Sequence, residues 1–311
     1  MINLFFTRNI RKVKELILLL HKYTETKVVL SHNEDKILKS MKELNIPIYK
    51  ELHYNDTKMF DKIVKKHDVN VLFTNSPKER IKVKNIHVVS PGSKASIDLV
   101  NNKYPFYQFC EENNIPIAQF VRFDSKEEMV LKMNEFQNKE LCIKPSISIF
   151  GLGFYKINDI PEGDDVSFKN YLLLEYLPGY EYSIDCLCQD GKLIYHSIRK
   201  KLSDTEQTII YNEDMYKTSK KLVKLLNLNG TINIQFKEDI NGNPKVLEIN
   251  PRISGGFNKG FYDEKTYVEV FFKIISNINI KKNEINSILE KYKSFCKNNT
   301  KIIYEELSKS S

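Results

Sequence analysis

Polar side chains occupy every second position of a strand-like segment near residue 250. Glu248, Asn250 and Arg252 alternate with apolar residues in the stretch VLEINPRISGG, residues 246–256. Because alternate side chains of a strand lie on the same face, a carboxylate, an amide and a guanidinium would share one surface. The two oxygen-bearing groups could bind a hard cation, and the guanidinium could bind a phosphate or a carboxylate.

A second strand supplies a further oxygen to this surface. An Asn241-Gly242 pair separates the segment from the stretch NIQFKED, and this pair is a strong hairpin signal. If the loop is symmetric about the pair, Gln235 lies opposite Glu248, with Cβ atoms ~5 Å apart. Mg²⁺ takes one or two protein oxygens and completes its shell with phosphate and water. A metal–phosphate site fits this pattern, although alternation alone favours an edge hairpin with a solvated polar face.

Composition limits the classes of function. The 311 residues carry a net charge of +8, but the lysines are spread along the chain and few aromatic residues interleave with them, which argues against nucleic-acid binding. No apolar run approaches the roughly 18 residues of a membrane span, and the N-terminal stretch does not resemble a signal peptide. The five scattered cysteines are expected to be reduced. These features predict a cytoplasmic protein with no membrane partner.

The first 90 residues alternate between strands and helices, which predicts a parallel sheet with right-handed crossovers. No G-x-G-x-x-G follows the first strand, so a dinucleotide cofactor is not expected. The predicted strands are 2–6, 27–31, 47–50, 69–74 and 86–90, and the predicted helices are 9–22, 34–44 and 56–67.

The remaining two thirds of the chain are predicted to contain both helices and antiparallel strands. Residues 90–116 read as a helix pair interrupted at Pro105, and Ser125 with Glu128 forms a capping box for a helix at 126–136. Two strand-like halves then flank the turn QDGK, and the residues after about 265 are predicted to be helical and polar. Further predicted elements are a strand at 141–146, a glycine-containing loop at 146–154 and a helix at 213–227.

The hairpin TINIQFKEDINGNPKVLEINPRISGG, residues 231–256, resembles the metal-binding hairpin of the ATP-grasp superfamily. It is most similar to the branch that contains the carbamoyl phosphate synthetase large subunit and related carboxylate–amine ligases. The resemblance implies that Gln235, Glu248 and Asn250 hold one or two Mg²⁺ ions, with Mn²⁺ as an alternative. It also implies that Arg252 contacts the transferring phosphate or acyl phosphate.

The resemblance continues upstream, covering residues 90–275 well and the first 90 loosely. It implies that Lys103 is the first basic phosphate contact and that Lys144, in CIKPS, reaches the α- and β-phosphates of ATP. The stretch LLLEYLPGYEYSID resembles the hinge where adenine docks. Three hinge residues would then meet the base, partly through backbone groups, and Glu181 would accept the ribose hydroxyls. Those hinge residues are Glu175, Tyr176 and Leu177.

The fold implied by the resemblance is α/β, with an α+β nucleotide-binding part. A Rossmann-like pre-ATP-grasp subdomain (1–90) would precede a two-lobed ATP-grasp domain (91–275), followed by a C-terminal helical tail (276–311). Within the ATP-grasp domain, the lid lobe would cover about 115–172 and the metal-binding lobe about 173–275.

The implied reaction is ATP-dependent ligation of a small-molecule carboxylate to an amine through an acyl phosphate. A non-catalytic nucleotide sensor of the same fold is the alternative, and a homodimer is possible. Arg199 is a candidate for binding phosphate or the substrate carboxylate, with a surface salt bridge as the other interpretation. His196 is expected to be structural. Arg8 is a weaker candidate for contact with the acceptor. Two departures from the family pattern are the glycine-poor 146–154 loop and Gln235, where many relatives have Glu.

Overall fold

The structure is a computed structural model that describes most of the chain. The described residues are 2–7, 17–30, 45–50, 57–69, 71–74, 87–137, 139–148, 152–160, 168–203, 206–254, 256, 260–298 and 302–304. Arg8, the predicted helix at 34–44 and most of the predicted helix at 9–22 lie outside these ranges.

The N-terminal part contains a five-stranded, fully parallel sheet in the order β3-β2-β1-β4-β5. Each strand falls where a short apolar run predicts it, so the Rossmann-like prediction is confirmed for this sheet. Its elements are β1 (Ile2–Thr7), β2 (Thr26–Leu30), β3 (Ile48–Lys50), α1 (Thr57–His67), β4 (Val71–Thr74) and β5 (His87–Val89).

A helix pair follows, and its break differs from the prediction. The helices are α2 (Lys94–Val100) and α3 (Lys103–Glu112), so the interruption lies at residues 101–102 and not at Pro105. Pro105 lies in the first turn of α3, where a missing backbone N–H costs no helical hydrogen bond. This correction matters because Lys103 becomes the first residue of a helix.

A four-stranded antiparallel sheet in the order β6-β9-β7-β8 lies in the region predicted as the lid lobe. Ile143 and Leu173 point into its own core with Phe123. Cys142 and Leu174, one position away, join the core of the neighbouring lobe. One face of the sheet is therefore turned toward the second lobe. The elements are β6 (Phe120–Phe123), α4 (Lys126–Met133), β7 (Leu141–Pro145), β8 (Tyr155–Lys156) and β9 (Tyr171–Glu175).

The second lobe is built on a six-stranded sheet in the order β14-β13-β10-β11-β12-β15. Its pairs are all antiparallel, in agreement with the predicted hairpins. The elements are β10 (Glu181–Gln189), β11 (Lys192–Lys201), β12 (Glu206–Ile210), α5 (Glu213–Leu225), β13 (Gly230–Glu238), β14 (Pro244–Asn250), α6 (Glu264–Ile275), α7 (Lys282–Asn298) and β15 (Ile302–Tyr304).

The C-terminal residues are more integrated than the predicted polar, helical tail. Helix α6 buries an apolar face that includes Phe271 and packs in one cluster with Val71 and Val89 of the first sheet. Strand β15 pairs with β12 and extends the central sheet. The polar description is therefore wrong for α6, because its apolar stripe fills the space between the two sheets.

Candidate active site

The predicted hairpin register is confirmed. Gln235 pairs with Glu248 and Asn233 pairs with Asn250 across β13 and β14. The turn is stabilised by Asp239, whose Oδ1 accepts from the backbone N–H groups of Asn241 (2.9 Å) and Asn243 (2.8 Å). Gly242 adopts φ +80°, which a side chain would disfavour. The turn sets the pairs from Glu238–Pro244 to Phe236–Val246, and a β-bulge at Leu247 then brings the Gln235 side-chain amide opposite the Glu248 carboxylate.

The polar face extends across four strands. On β10, Glu181, Ser183 and Asp185 lie opposite Lys237, Gln235 and Asn233 of β13. Arg199 of β11 lies opposite Ser183. The intervening residues, such as Ile184 and Ile234, are fully buried on the other face. A continuous row of charged and amide groups therefore covers one surface of the sheet.

At the end of this row, Asn250 bridges Glu248 and Arg252. Its Nδ2 donates to Oε1 of Glu248 (2.8 Å), and its Oδ1 accepts from the Arg252 guanidinium (3.1 Å). Burial lowers the pKa of Arg252, whereas the charge of Glu248 raises it. The three residues that the sequence groups together are thus in contact.

Lys103 and Lys144 interact electrostatically with the same carboxylate. Burial and the charge of Lys144 lower the pKa of Lys103, and Glu248 raises it. Burial lowers the pKa of Lys144, while Cys142 and Glu248 raise it. Nζ of Lys103 donates to Ser148 Oγ (3.0 Å), and Nζ of Lys144 donates to the Tyr107 hydroxyl (2.8 Å). Glu248 therefore lies within electrostatic reach of three cations, Arg252 included.

In the hinge segment, the Glu175 carboxylate is already engaged by the lid lobe. It accepts from Lys139 Nζ (3.0 Å) and from the backbone N–H of Gln119 (3.2 Å). The Tyr176 amide donates to the Glu140 carbonyl (2.7 Å), and Leu177 is 4% exposed. The Glu175 backbone N–H donates to the Gln119 carbonyl (3.0 Å), so contact between adenine and this segment would use backbone groups other than the Glu175 and Tyr176 amides. Glu181 begins β10, opposite Lys237.

Arg199 lies in a buried network. Its Nε donates to Asp185 Oδ2 (2.9 Å), and its two terminal nitrogens donate to Gln207 Oε1 (2.6 Å), Ser183 Oγ (3.1 Å) and Ser254 Oγ (3.2 Å). Arg199 is 5% exposed, so the surface-salt-bridge interpretation is wrong. Most of its donors are committed to protein groups, which favours a role in supporting the other residues of the polar face.

Two further lysines, which sequence inspection did not identify, lie beside the Tyr176 ring of the hinge segment. Nζ of Lys156 on β8 lies 4.0 Å from the Tyr176 ring centroid, and Nζ of Lys237 on β13 lies 5.8 Å from it. Burial raises the pKa of Cys142 to about 11, and Lys144, Lys237 and Lys156 act to lower it. The alternation of Gln235 and Lys237 could have suggested Lys237, whereas Lys156 reaches Tyr176 only through the pairing of β8 with β7.

His196 lies outside this surface, on the side of the sheet covered by α5 and α7. Its ring stacks on Tyr216 (4.8 Å) and meets Tyr292 edge to face (4.8 Å). Burial, assisted by Lys293, lowers its pKa to about 3. The structural role expected for His196 agrees with this packing.

The polar face suits Mg²⁺ better than a softer metal. Among the described residues, no group of three or more His, Cys, Asp and Glu side chains is placed to hold a metal. Gln235, Glu248 and Asn250 instead offer one carboxylate and two amides, an incomplete set of oxygen donors. Such a set fits Mg²⁺ that also binds phosphate and water. Their role as ligands remains a prediction.

None of the described helices combines the length and the apolar character needed to cross a bilayer.

Comparison with known proteins identifies similar ATP-grasp domains and enzymes. A family model described as "ATP-grasp in the biosynthetic pathway with Ter operon" matches residues 167–301. The arginine-specific carbamoyl phosphate synthase large chain of Bacillus subtilis is 28% identical over 180 residues, which cover 51% of this chain and 17% of that protein. The chain thus spans about a sixth of the length of this curated relative.

Two solved structures show the same fold. N5-carboxyaminoimidazole synthetase from Staphylococcus aureus superposes with a TM-score of 0.67 at 11% identity, covering 98% of this chain and 93% of that one. The L-amino acid ligase from Bacillus licheniformis superposes with a TM-score of 0.57 at 14% identity, covering 83% and 69%. The two-lobed fold predicted for the chain is confirmed, and the chain is similar to ATP-grasp proteins, among them the carbamoyl phosphate synthase large chains.

Proposed function

We propose that the chain is an ATP-dependent, ADP-forming ligase that joins a small-molecule carboxylate to an amine. The observation that supports this most is the position of Glu248. It pairs with Gln235 across the hairpin and lies within electrostatic reach of Lys103, Lys144 and Arg252. One carboxylate surrounded by cations, beside amide oxygens, is suited to a metal-bound triphosphate.

In the proposed reaction, ATP transfers its γ-phosphoryl group to the substrate carboxylate. The resulting acyl phosphate is attacked by the amine, and phosphate leaves. Lys103, Lys144 and Arg252 would hold the phosphates and offset their negative charge, which is the main demand of phosphoryl transfer. Magnesium bound by Gln235, Glu248 and Asn250 would supply further charge neutralisation. Backbone groups of residues 175–177 would hold adenine, and Glu181 would hold the ribose hydroxyls.

The experiment that tests this function is phosphate release from Mg-ATP with pools of amino acids and other carboxylates. We expect ADP and phosphate to form only when one acid is present. Added hydroxylamine should replace the amine and trap the acyl phosphate as a hydroxamate. Amino acids come first in the screen because one structural relative is an L-amino acid ligase. Glu248→Ala serves as the blank for contaminating ATPase.

A nucleotide sensor without ligase activity is the second candidate. It is favoured by the 146–154 loop, where Ile147 and Leu152 are 70% and 66% exposed in place of the glycines typical of a phosphate-covering loop. A sensor would bind Mg-ATP, as measured by calorimetry, yet release no phosphate with any acid in the screen. Acid-dependent hydroxamate would exclude it.

A further inference from the structure

The Tyr107 side chain connects three elements of the candidate site. Tyr107 lies on α3, one turn after Lys103, and is 0% exposed. Its hydroxyl accepts from Lys144 Nζ on β7 (2.8 Å) and donates to the Leu247 carbonyl on β14 (3.0 Å). One oxygen atom thus joins the strand of the predicted phosphate lysine to the strand of the predicted metal ligands.

A β-bulge makes the second bond possible. The register passes from Gln235–Glu248 to Phe236–Val246, so Leu247 is the additional residue on β14. A bulge leaves its extra residue outside the regular ladder of backbone bonds. The Leu247 carbonyl, directly before Glu248, is therefore directed to a side chain. Tyr107 donates to that carbonyl and so contacts the residue next to Glu248.

Burial affects the protonation of both partners of the contact. Burial is the main cause that raises the pKa of the Tyr107 hydroxyl, so this group stays protonated and can donate to Leu247. Burial lowers the pKa of Lys144, which makes each group that stabilises its ammonium form important. The Tyr107 ring also lies under the ammonium, with its centroid 5.0 Å from Nζ.

We propose that Tyr107 is a positioning residue that orients the Lys144 ammonium toward the nucleotide phosphates and couples it to the strand carrying Glu248. The role of Lys144 rests on the proposed function, but the hydrogen-bonded connection does not. Sequence similarity alone would not reveal this residue, because its role depends on a contact between α3, β7 and the bulge of β14.

The first test is Tyr107→Phe, which removes the hydroxyl and keeps the ring packed against Phe120 at a centroid distance of 5.4 Å. Tyr104→Phe is the matched control: it removes a hydroxyl from the same helix, where the group accepts only from Gln108 among the described residues. We expect Tyr107→Phe to weaken Mg-ATP binding about tenfold, the usual scale for a hydrogen bond to a charged group. The control should bind like the wild type.

A double-mutant cycle separates positioning from general structural damage. In a Lys144→Met background, Tyr107→Phe should change Mg-ATP affinity less than twofold, because the group through which it acts is gone. The proposal is overturned if the tenfold loss persists in that background, or if the Tyr104→Phe control shows the same loss.

A second readout needs no nucleotide. In protein labelled with ¹³C-lysine, the Lys144 side-chain signal can be assigned by its disappearance in Lys144→Arg and titrated by NMR. We expect the pKa of Lys144 to fall further in Tyr107→Phe and to stay unchanged in Tyr104→Phe. An unchanged titration in Tyr107→Phe overturns the proposal. If the wild type fails to bind Mg-ATP, the proposed function fails, while this titration still decides whether Tyr107 controls Lys144.

Discussion

Replacing Arg199 by Met tests whether this side chain supports the polar face or grips a ligand. The substitution removes the guanidinium and leaves the Asp185 carboxylate, with a side chain 8% exposed. Asn233 Nδ2 (3.1 Å) then remains as a donor to Asp185. An unpaired buried carboxylate is strongly destabilising because its charge is no longer compensated.

The expected decrease in Tm follows from the burial of the ion pair and from the length of the chain. Removing one partner of a buried ion pair costs about 3–5 kcal/mol. Unfolding entropy near Tm is about 2.1 cal/mol/K per residue, or roughly 650 cal/mol/K for this chain if it unfolds as one unit. The free-energy loss therefore corresponds to a decrease in Tm of about 5–8 °C. Adding Asp185→Asn to Arg199→Met should restore part of this loss, because it removes the unpaired charge.

Differential scanning calorimetry provides the assay, and Lys200→Met is the matched control. Lys200 is the next residue of β11 and lies with Nζ 3.6 Å from the exposed Tyr180 ring. Losing this charge should shift Tm by about 1 °C, since such contacts contribute roughly 0.5–1 kcal/mol. If Arg199→Met leaves Tm unchanged but abolishes ligation, the structural reasoning is wrong and Arg199 grips a ligand.

Three further predictions address the site and its surroundings. Glu248→Ala should reduce Mg-ATP turnover at least 100-fold, the scale of losing one strong transition-state contact, with an unchanged circular dichroism spectrum; retained turnover would contradict the metal assignment. Lys144→Ala should mainly weaken Mg-ATP affinity in calorimetry, and equal affinity before and after would exclude its phosphate role. His196 has a pKa of about 3 in the folded chain against an ordinary 6.5, so the unfolded chain binds more protons between these values and stability rises with pH across that window. His196→Phe should remove up to about 1.4 kcal/mol per pH unit of that dependence. Urea unfolding at pH 5 and pH 7 measures the change, and a difference in unfolding free energy equal to that of the wild type would contradict the prediction.

The sequence predicted the local elements well. The strands of the first sheet and the Asn241-Gly242 hairpin follow from short apolar runs and turn residues, which act within a few positions of the chain. The pairing of Gln235 with Glu248 agrees with a loop symmetric about that turn, but it depends on the β-bulge at Leu247, which turn residues and alternation do not predict. The break between α2 and α3 was misplaced because Pro105 is compatible with the first turn of a helix.

Contacts between distant segments were decided by the tertiary structure. The burial of Arg199, the approach of Lys156 and Lys237 to Tyr176, and the connection from Tyr107 to Lys144 join residues that are far apart in sequence or lie on different sheets. Periodicity reports which face of an element is apolar, but it carries no information on which element covers that face. The sequence by itself therefore determined the strands, the hairpin and its polar face, whereas only the packing of the lobes determined which cations surround Glu248.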